Sequence, residues 1–113
     1  MSKPIQIDFV FSDGTIHDAT LTETSTEINV CFGYNWNITA NIDGITGVNP
    51  KYTLEAKGKN NQWYVYKIPD AQDVDINDSL CDTHLSFTKL RLIHDGTGTT
   101  GGTVTYTIEL KNG

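Results

Sequence analysis

The stretch Trp36-Asn37-Ile38-Thr39-Ala40-Asn41-Ile42 alternates apolar and polar side chains without a break. A strand turns successive side chains to opposite faces, whereas a helix would scatter these four apolar residues around its circumference. The pattern therefore predicts a central strand with Trp36, Ile38, Ala40 and Ile42 on the buried side. The same period returns in Ile5 to Phe11 and, through Ile28, Val30 and Phe32, in Glu27 to Phe32. It appears again in Tyr52 to Lys57, with Tyr52, Leu54 and Ala56 inward, and in Thr103 to Lys111, with Val104, Tyr106, Ile108 and Leu110 on one face. Phe87 to Ile93 reads as a further strand. No window carries a helical period.

Turn signals separate these runs. Asp13-Gly14 predicts a tight turn and a hairpin into Ile16 to Leu21, and Gly58-Lys59-Asn60-Asn61 predicts a hairpin turn returning through Gln62 to Ile68, because glycine and asparagine tolerate positive φ. Asp43-Gly44 and Gly47 to Pro50 mark a loop, Thr22 to Thr26 is polar, and Pro69 to Ser79 is acidic and without period, so a loop is assigned there. Asp95 to Gly102 is almost wholly glycine and threonine. It is expected to join the last two strands as a long hairpin tip or projecting arm, its glycines supplying backbone angles closed to other residues. Seven to nine short strands at this spacing predict an all-β protein, a single-domain antiparallel β-sandwich, Ig-like or jelly-roll-like, over residues 1–113.

Composition narrows function. A hydrophobic fraction of 37% suffices for a fold in which each strand buries one face. Fourteen acidic against eight basic residues give a formal charge of −6, and no basic run offers the cationic footprint of a nucleic-acid binder. Direct nucleic-acid binding is not expected. No apolar run approaches the ~20 residues of a membrane helix and no signal-peptide core follows Met1, so a cytoplasmic product, neither membrane-spanning nor visibly exported, is expected, with no membrane partner.

The residues able to carry chemistry lack the patterns that would activate them. Cys31 and Cys81 stand fifty positions apart outside any CxxC pattern, which argues against zinc; two free buried thiols are expected, with a disulfide as the alternative. An immunoglobulin tyrosine corner would need tyrosine where Ser79 stands. His84 lies near Cys81 and Asp82, but neither a glycine-rich turn nor a helix N-terminus is there to activate a thiol. Asp73-Val74-Asp75-Ile76-Asn77-Asp78 opens like a calcium loop and then departs from it, with Asp78 at the glycine position and His84 at the bidentate glutamate. The sequons at Asn37 and Asn77 are short enough to arise by chance. No catalytic residue, metal ligand or cofactor is assigned. Among the aromatics, Tyr64 and Tyr66 must face the side opposite Trp63 and Val65; if Trp63 is core, those two tyrosines form an exposed stripe suited to a protein interface.

Two segments carry a resemblance. Tyr52 to Ile68, "YTLEAKGKNNQWYVYKI", resembles the strand, Asn/Gly turn and Trp hairpin of small β-sandwich virion proteins of tailed bacteriophages, and Phe87 to Ile108, "FTKLRLIHDGTGTTGGTVTYTI", is similar to their final hairpin. The resemblance implies a non-enzymatic structural subunit of the virion, a head decoration, head-fibre or tail-associated protein assembled in the host cytoplasm. Its implied partners are other virion proteins and copies of itself, as a homo-oligomer. It makes Arg91 and the loop holding Thr97, Thr99 and Thr100 the positions expected at subunit contacts, beside Tyr64 and Tyr66. A carbohydrate-binding module of a surface or adhesion protein, using the same aromatics, is the alternative.

Overall fold

A computed structural model describes residues 5–29, 34–58, 60–67, 77–82 and 88–112. The chain forms two antiparallel sheets packed face to face, as the alternation predicts. The strands are β1 (Ile5–Asp8), β2 (His17–Asp18), β3 (Glu23–Thr24), β4 (Ile28–Asn29), β5 (Tyr34–Gly47), β6 (Lys51–Lys57), β7 (Trp63–Lys67), β8 (Asn77–Asp82), β9 (Lys89–Asp95) and β10 (Thr99–Asn112). One sheet runs β1-β10-β5-β8 with β2 also on β10; the other runs β3-β9-β6-β7 with β4 also on β9. No helix long and apolar enough to cross a membrane occurs among the described residues.

The register explains why the predicted inward residues meet. In the first sheet Ile38 pairs with Ile108, Ala40 with Tyr106 and Ile42 with Val104; in the second, Leu54 pairs with Leu92 and Ala56 with Leu90. All ten are buried. Each large aliphatic side chain so buried contributes about 1.5–3 kcal/mol. The small alanines leave room for bulkier partners, and the Tyr106 ring reaches across to the Tyr52 ring, centroids 4.8 Å apart.

Three sequence expectations are corrected by topology. Asp95 to Gly102 is not a hairpin, because β9 and β10 belong to different sheets; Gly96 to Gly98 cross between the sheets, and Thr99 to Thr103 already pair with β5. The glycines are needed there for close approach. A Cβ on Gly96 would collide with the Ala19 carbonyl oxygen, and one on Gly47, whose φ is +80°, would sit 2.6 Å from the Gly98 oxygen. Asp13-Gly14 does turn the chain, with Phe11 and Gly14 exchanging backbone hydrogen bonds, yet its arms do not pair with each other: β1 and β2 both add to β10. Asn77 to Asp82, within the expected acidic loop and beyond it, forms a strand on β5.

The polar run Thr22 to Thr26 also has a structural role. It lies along β9, where the Ser25 amide donates to the Leu92 carbonyl at 2.7 Å and the Leu92 amide to Ser25 Oγ at 2.9 Å. A serine hydroxyl thus stands in for a backbone carbonyl in the ladder between β3 and β4. Residues 9–29 therefore start on the edge of one sheet and finish on the edge of the other.

Candidate functional site

Two polar constellations stand out, one buried and one exposed. In the buried one, alternation along β9 (Leu90, Leu92, His94) carries His94 to the inner face beneath residues 17–21. His17 and His94 are both inaccessible to solvent, their rings edge to face with centroids 5.0 Å apart. Phe11 stacks on the far side of His17 at 4.2 Å.

Hydrogen bonds engage both nitrogens of each ring. His17 Nδ1 lies 2.8 Å from Asp13 Oδ1 and Nε2 2.8 Å from the Leu21 carbonyl oxygen. Both partners are acceptors, so the ring is held at both ends. Burial holds the pKa of His94 below the ordinary histidine range, with the neighbouring His17 acting in the same direction. Its Nε2–H donates to the Ala19 carbonyl at 2.9 Å, and Nδ1 accepts from the Tyr106 hydroxyl at 2.6 Å. That hydroxyl is itself pushed upward by burial.

Asp13, His17 and Glu23 bring potential ligand atoms within 4.8 Å of one another, but the set is occupied by the protein. Asp13 Oδ2 accepts from the Asp18 amide at 2.8 Å, and the two Glu23 oxygens accept from the Ser12 amide and hydroxyl at 2.8 and 2.9 Å. The cluster clasps the segment from Ser12 to Glu23 onto the end of the sandwich. His84 and Cys31 lie outside the described residues, as do the side chain of Cys81 and the Asp73 and Asp75 of the calcium-like run.

The exposed constellation lies on the outer face of the second sheet. The turn closed by the Gly58 amide on the Gln62 carbonyl, with Asn61 at a positive φ of 63°, pairs Lys57 with Trp63 and Glu55 with Val65. Partners in register share a face, so Trp63 lies outside with Lys57 and not in the core. Arg91 stacks its guanidinium 4.0 Å from the Trp63 ring centroid and donates from Nε to Glu55 Oε1 at 2.7 Å. Lys57 Nζ stands 5.6 Å from the same ring.

The structure separates the residues expected at an interface. Arg91 belongs to the Trp63 platform. Tyr64, opposite Ala56, is turned to the other side of β7 and remains 46% exposed, its hydroxyl accepting from Asn60 Nδ2 at 2.7 Å; the Tyr66 side chain lies outside the described residues. Thr97 is exposed at the crossover and Thr100 pairs its hydroxyl with that of Thr46 at 2.9 Å. Thr99 is buried and donates to the Val48 carbonyl at 2.6 Å. Sequence reading overlooked Trp63, Lys57 and Lys89 on the outer face, although the turn length alone places Trp63 opposite Lys57.

The sequence matches no protein-family model and no curated protein. In three dimensions the chain is similar to the solved structure of the SPBc2 prophage-derived protein YomS, at 15% identity and a TM-score of 0.55, over 98% of this chain and 97% of that one.

Proposed function

We propose that this protein is a non-enzymatic structural subunit of a bacteriophage particle, a capsid decoration, head-fibre or tail-associated protein that works through protein–protein assembly in the host cytoplasm. The observation that carries the reading is the end-to-end likeness to a prophage-derived protein: 98% and 97% coverage means that neither fold adds a domain to the other. The sequence resemblance of the Tyr52–Ile68 and Phe87–Ile108 segments points the same way.

The arrangement of polar groups favours adhesion over catalysis. Both ring nitrogens of His17 and of His94 are engaged in hydrogen bonds within the protein, which leaves neither free to move a substrate proton. The exposed Trp63–Arg91 platform has the composition of an interface hot spot. Carbohydrate binding has less behind it, because the Arg91 guanidinium already covers a face of the Trp63 ring on which a sugar would stack. Mass spectrometry of density-banded particles from cells expressing the gene in its phage context tests the proposal. The chain should co-band with the particles in many copies; its recovery only in the unassembled fraction would sink the reading.

A further inference from the structure

The two outer faces of the sandwich differ in charge. At outward positions of the first sheet stand Asp8, Asp18, Asp43 and Glu109; at those of the second stand Lys51, Lys57, Lys89 and Arg91 against Glu55 and Asp95. Against a background of −6 for the whole chain, half of its eight cations stand on this one face.

Register sharpens the contrast. On the first sheet Asp18 and Asp43 both stand opposite Thr103 on neighbouring strands, and Asp8 and Glu109 lie on adjacent cross-strand rows of the same outer face. On the second sheet Lys57 faces Lys89 directly across the ladder, next to Arg91 opposite Glu55. Like charges so opposed destabilise a sheet. The cost here is offset only in part by Glu27, 3.9 Å from Lys89 and half exposed. An anionic surface docked on this face would remove it, and the Trp63 ring, with Val65 57% exposed on the same edge strand, supplies apolar area for the contact.

We propose that copies of this chain stack head to tail, the basic, Trp63-bearing outer face of one sandwich docking on the acidic outer face of the next. The inference rests on the reading of the chain as an assembly subunit and names its partner as a second copy. The molecule measures 40 × 31 × 23 Å. Its shortest extent suits two sheets about 10 Å apart with side chains on both outer sides, so the broad faces exceed the ~800 Å² that a standard interface buries per partner. Two different surfaces in contact make a heterologous interface, which leaves each copy with one free face of each kind and builds a ring or a filament.

The test uses two full-length variants and sedimentation velocity at low salt. Lys51→Glu with Lys57→Glu spoils the basic face alone; Asp8→Lys with Asp43→Lys spoils the acidic face alone. Wild-type chains should form species larger than a monomer that dissociate at high salt, as the screening length falls from ~10 Å at 0.1 M to ~3 Å at 1 M. Each variant alone should be monomeric, and their equimolar mixture should stop at dimers, because one intact face of each kind remains. Asp8→Asn with Asp43→Asn serves as a milder pair should the lysine variant lose its β-sheet circular dichroism. A monomeric wild type at every concentration, or self-association retained by either folded variant alone, overturns the stacking. Either result leaves the particle-banding experiment to decide the virion reading independently.

Discussion

His94 Nδ1 lies 2.6 Å from the hydroxyl of Tyr106, joining an inner-face residue of one sheet to an inner-face residue of the other. The His94 Nε2–H donates to Ala19 in the N-terminal segment, so one imidazole connects three parts of the fold. Replacing it by alanine opens a cavity and leaves a buried phenol and a buried carbonyl short of a partner. His94→Ala should cost about 3 kcal/mol in urea denaturation, since each buried polar group left unsatisfied costs about 1–3 kcal/mol.

The same residue should make stability depend on pH near neutrality. Burial lowers the pKa of His94 in the folded protein, so below the ordinary histidine value of about 6.5 the unfolded chain binds a proton that the native chain does not. Stability is thus full above that value and falls as pH drops toward the folded-state value. Thermal melting temperatures should decline from about pH 7 to about pH 5, less steeply in His94→Gln. An unchanged slope in the variant would assign the effect elsewhere.

Asp13 governs a lower range. The Asp18 amide first, and the His17 ring second, hold its carboxyl below the ordinary aspartate range. A depressed folded-state pKa contributes stability that is present above the ordinary value of about 3.9 and is lost as pH falls through the folded value. Asp13→Asn should flatten this acid limb in circular-dichroism titrations. It should also lower stability at neutral pH by about 2 kcal/mol, the scale of a hydrogen bond to a charged group.

Gly96 is where two crossovers touch. Its amide donates to Thr22 Oγ1 at 3.0 Å, and a methyl group there would lie 2.7 Å from the Thr20 carbonyl carbon. Backbone cannot yield as a flexible side chain does. Gly96→Ala should lower the urea midpoint by the equivalent of about 2–3 kcal/mol, the range of overpacking in a close-packed interior. Gly14→Ala has open space around its Cβ and only an unfavourable φ of +106°, and should cost less in the same assay.

Trp63→Ala should divide stability from assembly. The ring is only partly buried on the outer face, so urea denaturation should shift by about 1 kcal/mol, the scale of a single cation–π contact at an exposed site. Co-banding with particles should fall sharply, because hot spots concentrate on Trp and Arg. Equal losses in both measurements would mean that Trp63 serves the fold alone.

Much of the architecture was legible because strand alternation is a local property. Ile38, Ala40 and Ile42 on β5, and Val104, Tyr106, Ile108 and Leu110 on β10, are buried where the period puts them. The turn at Gly58 to Asn61 followed from the positive φ that asparagine accepts. Between Ile16 and Leu21 the inward positions went unread: Ile16 and Leu21 are 64% and 48% exposed while His17 and Ala19 turn inward, because the Asp13 carboxylate and the Leu21 carbonyl give the buried imidazole hydrogen-bond partners.

From its own residues, then, the chain determined that it would pleat, where it would turn and which side of each long strand would be apolar, since those choices depend on neighbours two to four positions away. Only the tertiary structure decided that β9 and β10 part into different sheets, that Thr99 is buried, that two histidines share one core, and that acidic and basic residues divide between the outer faces. These outcomes depend on pairings between residues distant in the chain, such as Ile5 with Leu110, and strand periodicity carries no information about which partner a strand will find.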